Sequence, residues 1–496
     1  MQFGLSESVA HWGRYRPDKP AVFANGVSLS YGQLNARIEA VCSRLVAATF
    51  SGPRIAVAVE SKLEMLIAYL CVLRLGKSIV ALNSGLKAEA VRTNLDDTQT
   101  TQFIHDKRFS TWTKLFRSPP RALSLEDVDW TAKWQVHCPP ETRPNDEWGV
   151  LFSSGTTGTP KGIERDHYSM VTEFIGWCLE LPLSRDTTFY IGRPIFYTGG
   201  LVLTASTLLA GGTVVLNDYA NDNDSHSVWA DYQEFGKHHR IDWAFFVPDQ
   251  LRKFTDFARE RYKCSAKNIL VMGAPISGSE KLRARERLRC GIVESWGNSE
   301  SLGTITDPED LDTRPDSVGR PFLTDELIVV DESGKRVPPN TLGRIAGGEE
   351  AGFAQYSGRP DATRQVKQCQ LIISDDIGYL DEQGYLYVRG REQELFIVAG
   401  RTYSVRDLEE SLGSTPGVVE LTVVPLESEG GDATLCALVI QDAGPTVSES
   451  ELLQRLNDKL PFPLKLERAM KVSAIPKVPS GKVDKGTCAK LVKSGR

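Results

Sequence analysis

The sequence predicts an α/β protein, with a large N-terminal domain of parallel and mixed sheets covered by helices and a small α+β domain at the C-terminal end. Two observations carry this expectation. Apolar, β-branched runs alternate with helical stretches through most of the chain, and that alternation implies sheets with helices packed on both faces. Beyond about residue 380 the texture changes to glycine-containing hairpin signals, followed by a short β-rich and helical tail.

The elements follow in order. Strands are expected at Arg54–Glu60 (RIAVAVE), Lys77–Asn83 (KSIVALN) and Gly212–Asn217 (GTVVLN), and helices over Lys62–Leu75 and Ser279–Leu288. The stretch Gly199–Leu216 carries no charge. Its glycine pairs and Ser/Thr content suit a buried helix followed by a strand rather than a membrane span. In YLDEQGYLYVRGR, short alternating segments flank Gln383-Gly384, which reads as a hairpin turn. A further helix is expected from Ser448 to Leu460. The domain division is placed after this hairpin, giving residues 1–390 and 391–496.

The 496 residues carry 58 Lys+Arg against 64 Asp+Glu. A mild acidic excess spread along the chain excludes phosphate-backbone binding as the main activity, so no nucleic-acid partner is expected. Nine cysteines are scattered singly with no CxxC pair, which fits reduced thiols and a cytoplasmic location. The opening MQFGLSESVAHWGRYRPDKP has neither a basic region nor an apolar core of the kind that directs export, and no membrane anchor is expected.

The most informative segment is LFSSGTTGTPKGIERDH, Leu151–His167. The apolar run WGVLF leads into Ser153, Ser154, Gly155, Thr156, Thr157, Gly158, Thr159, Pro160, Lys161 and Gly162. Glycines let backbone N–H groups converge on an anion, hydroxyls add donors, and a lysine adds a point charge. Such a segment suits a polyphosphate. A plain surface linker would need neither Lys161 nor the strand before it. A Walker loop is excluded, because GxxxxGK[ST] requires glycine before the lysine and here that residue is Pro160.

SSGTTGTPKG resembles the signature loop of the adenylate-forming superfamily, which includes acyl-CoA synthetases, aryl-acid CoA ligases, adenylation domains and luciferase. Further segments resemble the family's in order: LSYGQL (Leu29–Leu34), RPIFYTGG (Arg193–Gly200), VMGAPIS (Val271–Ser277), SWGNSE (Ser295–Glu300), VGRP (Val318–Pro321), SDDIG (Ser374–Gly378), GREQELFIVAGRTYSVRDLE (Gly390–Glu409) and PKVPSGKVDK (Pro476–Lys485). The resemblance spans essentially the whole chain. It implies ATP and Mg²⁺ as cofactors, with a core over 1–390 that binds ATP and the acid and a mobile C-terminal lid over 391–496.

The resemblance also implies roles. Lys482 becomes the catalytic lysine that bridges the acid's carboxylate and the α-phosphate. Glu300 becomes the Mg²⁺ ligand, because a hard cation bridging phosphates prefers carboxylate oxygen, and Thr156 approaches the same metal. Asp376 would accept hydrogen bonds from the ribose hydroxyls and Arg391 would contact ribose or phosphate. Gly273, Ala274 and Pro275 would wall the adenine, with Trp296 stacked on it in the segment that continues through Gly297, Asn298 and Ser299. Gln393 stands at the hinge, where aspartate is commonest in the family, and Gly400 would open the acceptor channel. Other departures are Ile397 for a lysine, Asp375 for the glycine of TGD and Asn298-Ser299 for a small residue and threonine. None removes a charge that the first half-reaction requires.

For the acid pocket the expected residues are Tyr197, Thr198, Gly199 and Phe245, with Trp296 beside them. Amino-acid-activating members carry aspartate directly after the phenylalanine of the pocket element, and here that residue is Tyr197. A buried ammonium without a partner would be costly, so the reading is against α-amino acids and for an aryl or short cyclic acid. The expected acceptor is the CoA thiol, with a carrier-protein thiol or an amine as alternatives. A non-catalytic nucleotide-binding homologue is the remaining reading, and it would have no use for Lys482.

Overall fold

The computed structural model describes residues 4–131, 142–153, 160–217, 224–258, 264–300, 302–349, 352–399, 401–413, 415–426, 433–441, 447–477 and 483–495. They fall into two compact units. The first holds the described residues up to 153 and those in 160–327 and 347–372; the second holds those in 328–346 and from 373 onward.

The first unit is built on two large sheets. A nine-stranded sheet runs in the order Arg320–Pro321, Gly303–Ile305, Gly291–Gly297, Ala266–Met272, Ile241–Phe246, Thr188–Ile191, Thr213–Leu216, Pro20–Ala24 and Val27–Ser30. Its six central strands are mutually parallel and its outer strands antiparallel. A seven-stranded sheet runs Gln355–Tyr356, Gly162–Asp166, Glu147–Phe152, Ser78–Ala81, Arg54–Ala58, Gln102–His105 and Arg121–Ser124. Parallel pairing again gives way to antiparallel at the Glu147–Phe152 and Gly162–Asp166 hairpin.

Both sheets contribute to one continuous apolar core, together with two helices that are apolar nearly all round. In helix Lys62–Arg74 every residue except Glu64 is buried, and the Ser61 side chain caps its start. Helix Thr198–Leu209 carries three hydroxyls into the core. Thr204, Ser206 and Thr207 each donate to the carbonyl four residues earlier, at 2.7 Å, so none is left unsatisfied. That is why a charge-free stretch rich in Ser and Thr becomes a buried helix, with strand Thr213–Leu216 after it. Among the described residues no helix is long and apolar enough to cross a membrane.

In the second unit, strand Leu371–Leu380 pairs with Leu386–Arg391 across the expected hairpin. Gly384 sits at φ +82, and the Asp381 carboxylate accepts from the Gln383 and Tyr385 amides at 2.9 Å. Left-handed backbone of this kind is nearly free for glycine only. Further on, strands Val418–Leu426, Thr434–Gln441 and Leu466–Lys471 form a three-stranded sheet. Alternate residues face opposite ways: Val423, Leu435 and Ala437 pack with helices Val405–Gly413 and Glu449–Asn457, while Val424, Cys436 and Leu438 pack with helix Lys485–Ser494. The expected helix from Ser448 thus forms, with Ser448 as its cap (3.2 Å to the Glu451 amide), and ends at Asn457. Residues 328–346 and 373–390, which precede the expected boundary, group with the C-terminal residues.

Candidate active site

The segment expected to bind phosphate leaves one strand and returns on its neighbour. Phe152 pairs with Gly162, and just beyond, the Ser153 amide donates to the Lys161 carbonyl (3.1 Å) while the Lys161 amide donates to Ser153 Oγ (3.2 Å). The two ends are thereby joined; Ser154, Gly155, Thr156, Thr157 and Gly158 lie outside the described residues. Gly162 is required by crowding, since a Cβ there would come within 2.9 Å of Val150 and 3.3 Å of Ser357. A buried network fixes the base of this hairpin. Glu164 accepts from Arg54 and Gln355 at 2.8 Å and from Ser357 Oγ at 2.7 Å, and Arg54 also pairs with Glu147.

The same network places Tyr356, whose register partner is Ile163. The Lys161 ammonium lies 4.9 Å from the centre of the Tyr356 ring, and the Tyr356 hydroxyl donates to Glu300 Oε1 at 2.5 Å. Tyr356 itself is buried. Among the described residues neither Lys161 nor Glu300 forms an ion pair. One tyrosine therefore holds a cation on its face and a carboxylate on its hydroxyl, and neither charge is paired with an opposite charge among the described residues. Partly buried charges without partners are costly unless a ligand supplies the counter-charges.

The turn carrying Glu300 is closed from both sides. The Asn298 amide donates to the Leu302 carbonyl, and Asn298 Oδ1 accepts from the Leu302 amide, both at 3.0 Å. Thr198 Oγ1 donates to Ser299 Oγ at 3.2 Å, and the Glu300 carbonyl accepts from the Phe353 amide at 3.2 Å. The unusual Asn298-Ser299 pair thus fixes the turn from which Glu300 projects, and Tyr356 holds its carboxylate. No group of three or more His, Cys, Asp or Glu gathers among the described residues. A single pinned carboxylate fits a Mg²⁺ that arrives with phosphate oxygens and keeps its waters.

Strand Ala266–Met272 runs into Gly273 at φ +100, Ala274 and Pro275, and a new helix starts at Gly278 with a Ser277/Glu280 capping box. Arg252 donates to the Pro275 carbonyl (3.0 Å) and pairs with Glu280 (2.6 Å), holding this exposed wall. Trp296 and Gly297 end strand Gly291–Gly297, and Trp296 packs against the cluster of Ile163, Leu302, Phe353 and Tyr356.

Tyr197 precedes helix Thr198–Leu209. Its hydroxyl accepts from Asn83 Nδ2 at 3.3 Å, and the Arg193 guanidinium lies 5.4 Å from its ring centre. A Cβ on Gly199 would stand 2.8 Å from Met272 Cε and 3.4 Å from Phe245 Cζ, so glycine lets these two side chains approach the helix backbone closely. The structure thus brings Tyr197, Thr198, Gly199 and Phe245 together. Trp296, expected beside Phe245, belongs to the Tyr356 cluster, whereas Phe245 belongs to the main core.

The second unit holds its own group. Asp376 is the register partner of Arg391, with Arg391 Nε 3.5 Å from Asp376 Oδ1. The Asp376 amide donates to Ser374 Oγ (3.1 Å), which in turn donates to the Ile345 carbonyl (2.9 Å). Gln393 is exposed in the one-turn helix Glu392–Glu394. A bridge between Lys477 and Val483 and a bond from the Asp484 amide to the Pro476 carbonyl (2.8 Å) join the ends of the segment that carries Lys482. Lys482 and Gly400 lie outside the described residues.

Residues 9–356 match the family described as AMP-binding enzyme. The chain belongs to that family. A 2-succinylbenzoate–CoA ligase of Bacillus cereus is 25% identical over 92% of this chain and 93% of its own. The fatty acid–[acyl-carrier-protein] ligase ScoC of Streptomyces coeruleorubidus is 26% identical over 97% and 94%. Among solved structures, o-succinylbenzoate CoA synthetase from Bacillus subtilis, in complex with its acyl-adenylate intermediate, superposes with a TM-score of 0.86 at 21% identity, covering 97% of each chain. The amide bond synthetase McbA from Marinactinospora thermotolerans gives 0.84 at 23%, covering 98% and 99%. This two-domain α/β fold is therefore the fold of the AMP-binding enzyme described here.

Four residues beside the candidate site of this AMP-binding enzyme escape sequence reasoning: Tyr356, Asn83, Met272 and Arg193. Tyr356 and Asn83 sit in no motif of fixed spacing, and Met272 lies in VMGAPIS without a role suggested by it, so only tertiary contacts reveal these three. Arg193 opens the RPIFYTGG segment, where its charge before a proline was the available signal.

One half-buried carboxyl beside this region gives a pH prediction. Asp325 Oδ2 accepts from the Gly303 amide at 3.1 Å, one strand from Gly297. Burial and then the nearby Glu173 push the Asp325 carboxyl up to about 7, against smaller opposing effects of the Thr324 and Gly303 hydrogen bonds and Arg165. With its folded value above the ordinary 3.8, the folded state binds the extra proton between these values. Stability from this group therefore falls as pH rises from about 4 to 7 and is constant above. Asp325→Asn is expected to raise the melting temperature at pH 8 and to flatten its pH dependence between 5 and 8; an unchanged pH profile would remove Asp325 as the cause.

Proposed function

We propose that this enzyme activates a carboxylic acid with MgATP, forming an acyl-adenylate and releasing pyrophosphate, and then passes the acyl group to the CoA thiol. The observation that carries the reading is the pair Lys161 and Glu300, opposite charges held by one tyrosine and left without ion partners among the described residues. A nucleotide triphosphate satisfies the lysine, and the metal it carries satisfies the carboxylate. When bound, Mg²⁺ neutralises charge on the phosphates. Lys161, with the Ser153–Gly158 segment, holds the phosphates; Gly273, Ala274, Pro275 and Trp296 wall the base; Asp376 and Arg391 hold the ribose. Lys482 neutralises charge between the carboxylate and the α-phosphate as the new P–O bond forms.

The boundary after residue 390, with Gln393 as hinge and Gly400 lining the acceptor path, forms part of the same proposal. Similarity to CoA ligases favours CoA as acceptor. The eight described cysteines are free thiols, which suits a reducing compartment, and we assign the enzyme to the cytoplasm.

The charged side chain beside Tyr197 is the cation of Arg193, which would repel the ammonium of an α-amino acid. Tyr197→Ala is expected to widen the pocket and shift preference toward bulkier acids with ATP binding retained. The ranking of acids by pyrophosphate release checks this, and an unchanged ranking would place the pocket elsewhere. Phe245→Ala would also remove a core side chain, at about 3–5 kcal/mol of stability, so Tyr197 is the cleaner probe. The proposal as a whole is tested by pyrophosphate release over a panel of acids, followed by mass spectrometry with CoA or amines added. An acyl-CoA supports it; an amide or an acylated carrier protein as the sole product would replace the acceptor.

A further inference from the structure

Arg193 stands just past the C-terminal end of the parallel strand Thr188–Ile191, where open α/β sheets place their ligands. The residue is 5% exposed. Among the described residues its guanidinium makes no hydrogen bond and no ion pair, and its one contact of that kind is the Tyr197 ring. Its nitrogens are nevertheless not among the polar atoms sealed off without a partner, so they are not closed off by the protein. Asn83 adds a donor to the same place. Its Oδ1 accepts from the Gly85 amide at 2.8 Å, which turns its NH₂ toward Tyr197.

A guanidinium withdrawn from bulk water without a counter-charge is unfavourable, and its planar fork matches a carboxylate in bidentate geometry. Close by, the Phe245 and Met272 side chains approach Gly199, two residues after Tyr197, so the neighbouring groups are aromatic and thioether. We infer that Arg193, with the Asn83 amide, forms an anion subsite in the acid pocket. The preferred substrate is then a dicarboxylic acid, whose second carboxylate is held here while the first is adenylated. This rests on the acid-activation reading above and adds the substrate class.

The test measures pyrophosphate release by the full chain with MgATP and matched acids: isophthalate against its monomethyl ester, and succinate against its monomethyl ester. The wild type is expected to favour the diacid in at least one pair by on the order of a hundredfold in kcat/KM, expressed mainly in KM. Arg193→Met should erase that ratio, and Arg193→Lys should keep part of it. Esters equal to or better than the diacids in the wild type would overturn the subsite while leaving acid activation standing. A ratio that persists in Arg193→Met would do the same, since Arg193 would then serve both kinds of acid alike. Should Arg193→Met fail to fold, the wild-type ratio and its reduction in Arg193→Lys decide. Pyrophosphate release from no acid at all would overturn the acid-activation reading, and the subsite with it.

Discussion

Lys482→Ala is expected to slow formation of the acyl-adenylate by on the order of a hundredfold or more, the scale of losing one preorganised electrostatic contact to a developing charge. A carboxylate attacking the α-phosphorus must approach a polyanion, and the enzyme's help is positioning and neutralisation. The same variant, supplied with presynthesised acyl-adenylate, should transfer the acyl group at close to the normal rate. Thiol attack on the activated carbonyl expels AMP and brings no second anion to the phosphorus, so it has no need of this lysine. Both rates are measured by rapid quench. If transfer falls as far as adenylation, Lys482 acts in both steps, and the rotation about Gln393 implied by the family resemblance is the first assumption to discard.

Glu300→Gln should be comparably severe. The variant keeps the shape of the turn, because Asn298, Ser299 and the Phe353 amide hold its backbone, but it removes the carboxylate charge. Adenylation should drop by on the order of a hundredfold, and the Mg²⁺ concentration giving half-maximal rate should rise. Tyr356→Phe leaves that charge and removes only the hydroxyl on it, so a loss nearer tenfold is expected, as for one hydrogen bond to a charged group. A normal magnesium titration in Glu300→Gln would show that the metal's carboxylate is another residue.

Much of this was legible in the sequence because local signals and fold agree. The hairpin at Gln383-Gly384 forms where glycine permits a positive φ. The stretch Gly199–Leu216 becomes helix then strand because each buried hydroxyl finds a carbonyl one turn back. What the sequence could not supply is long-range pairing. Tyr356 meets Lys161 and Glu300 only because its short strand adds to the edge of the seven-stranded sheet. Arg193 and Asn83 converge on Tyr197 from the ends of strands in different sheets. Trp296, near the end of strand Gly291–Gly297, packs with Tyr356, another contact between segments far apart in the chain.

The proposed chemistry turns on attack by the acid's own oxygen at the α-phosphorus of ATP. It is tested most directly by supplying a carboxylic acid labelled with ¹⁸O in its carboxylate, together with ATP, Mg²⁺ and CoA, and locating the label by mass spectrometry. Attack at the α-phosphorus makes that oxygen the bridge of the acyl-adenylate, and thiol attack on the carbonyl carbon then leaves it on the nucleotide. The result expected is AMP carrying one ¹⁸O, with unlabelled pyrophosphate. ADP as the nucleotide product, with the label in inorganic phosphate, would place the attack at the γ-phosphorus and contradict the account.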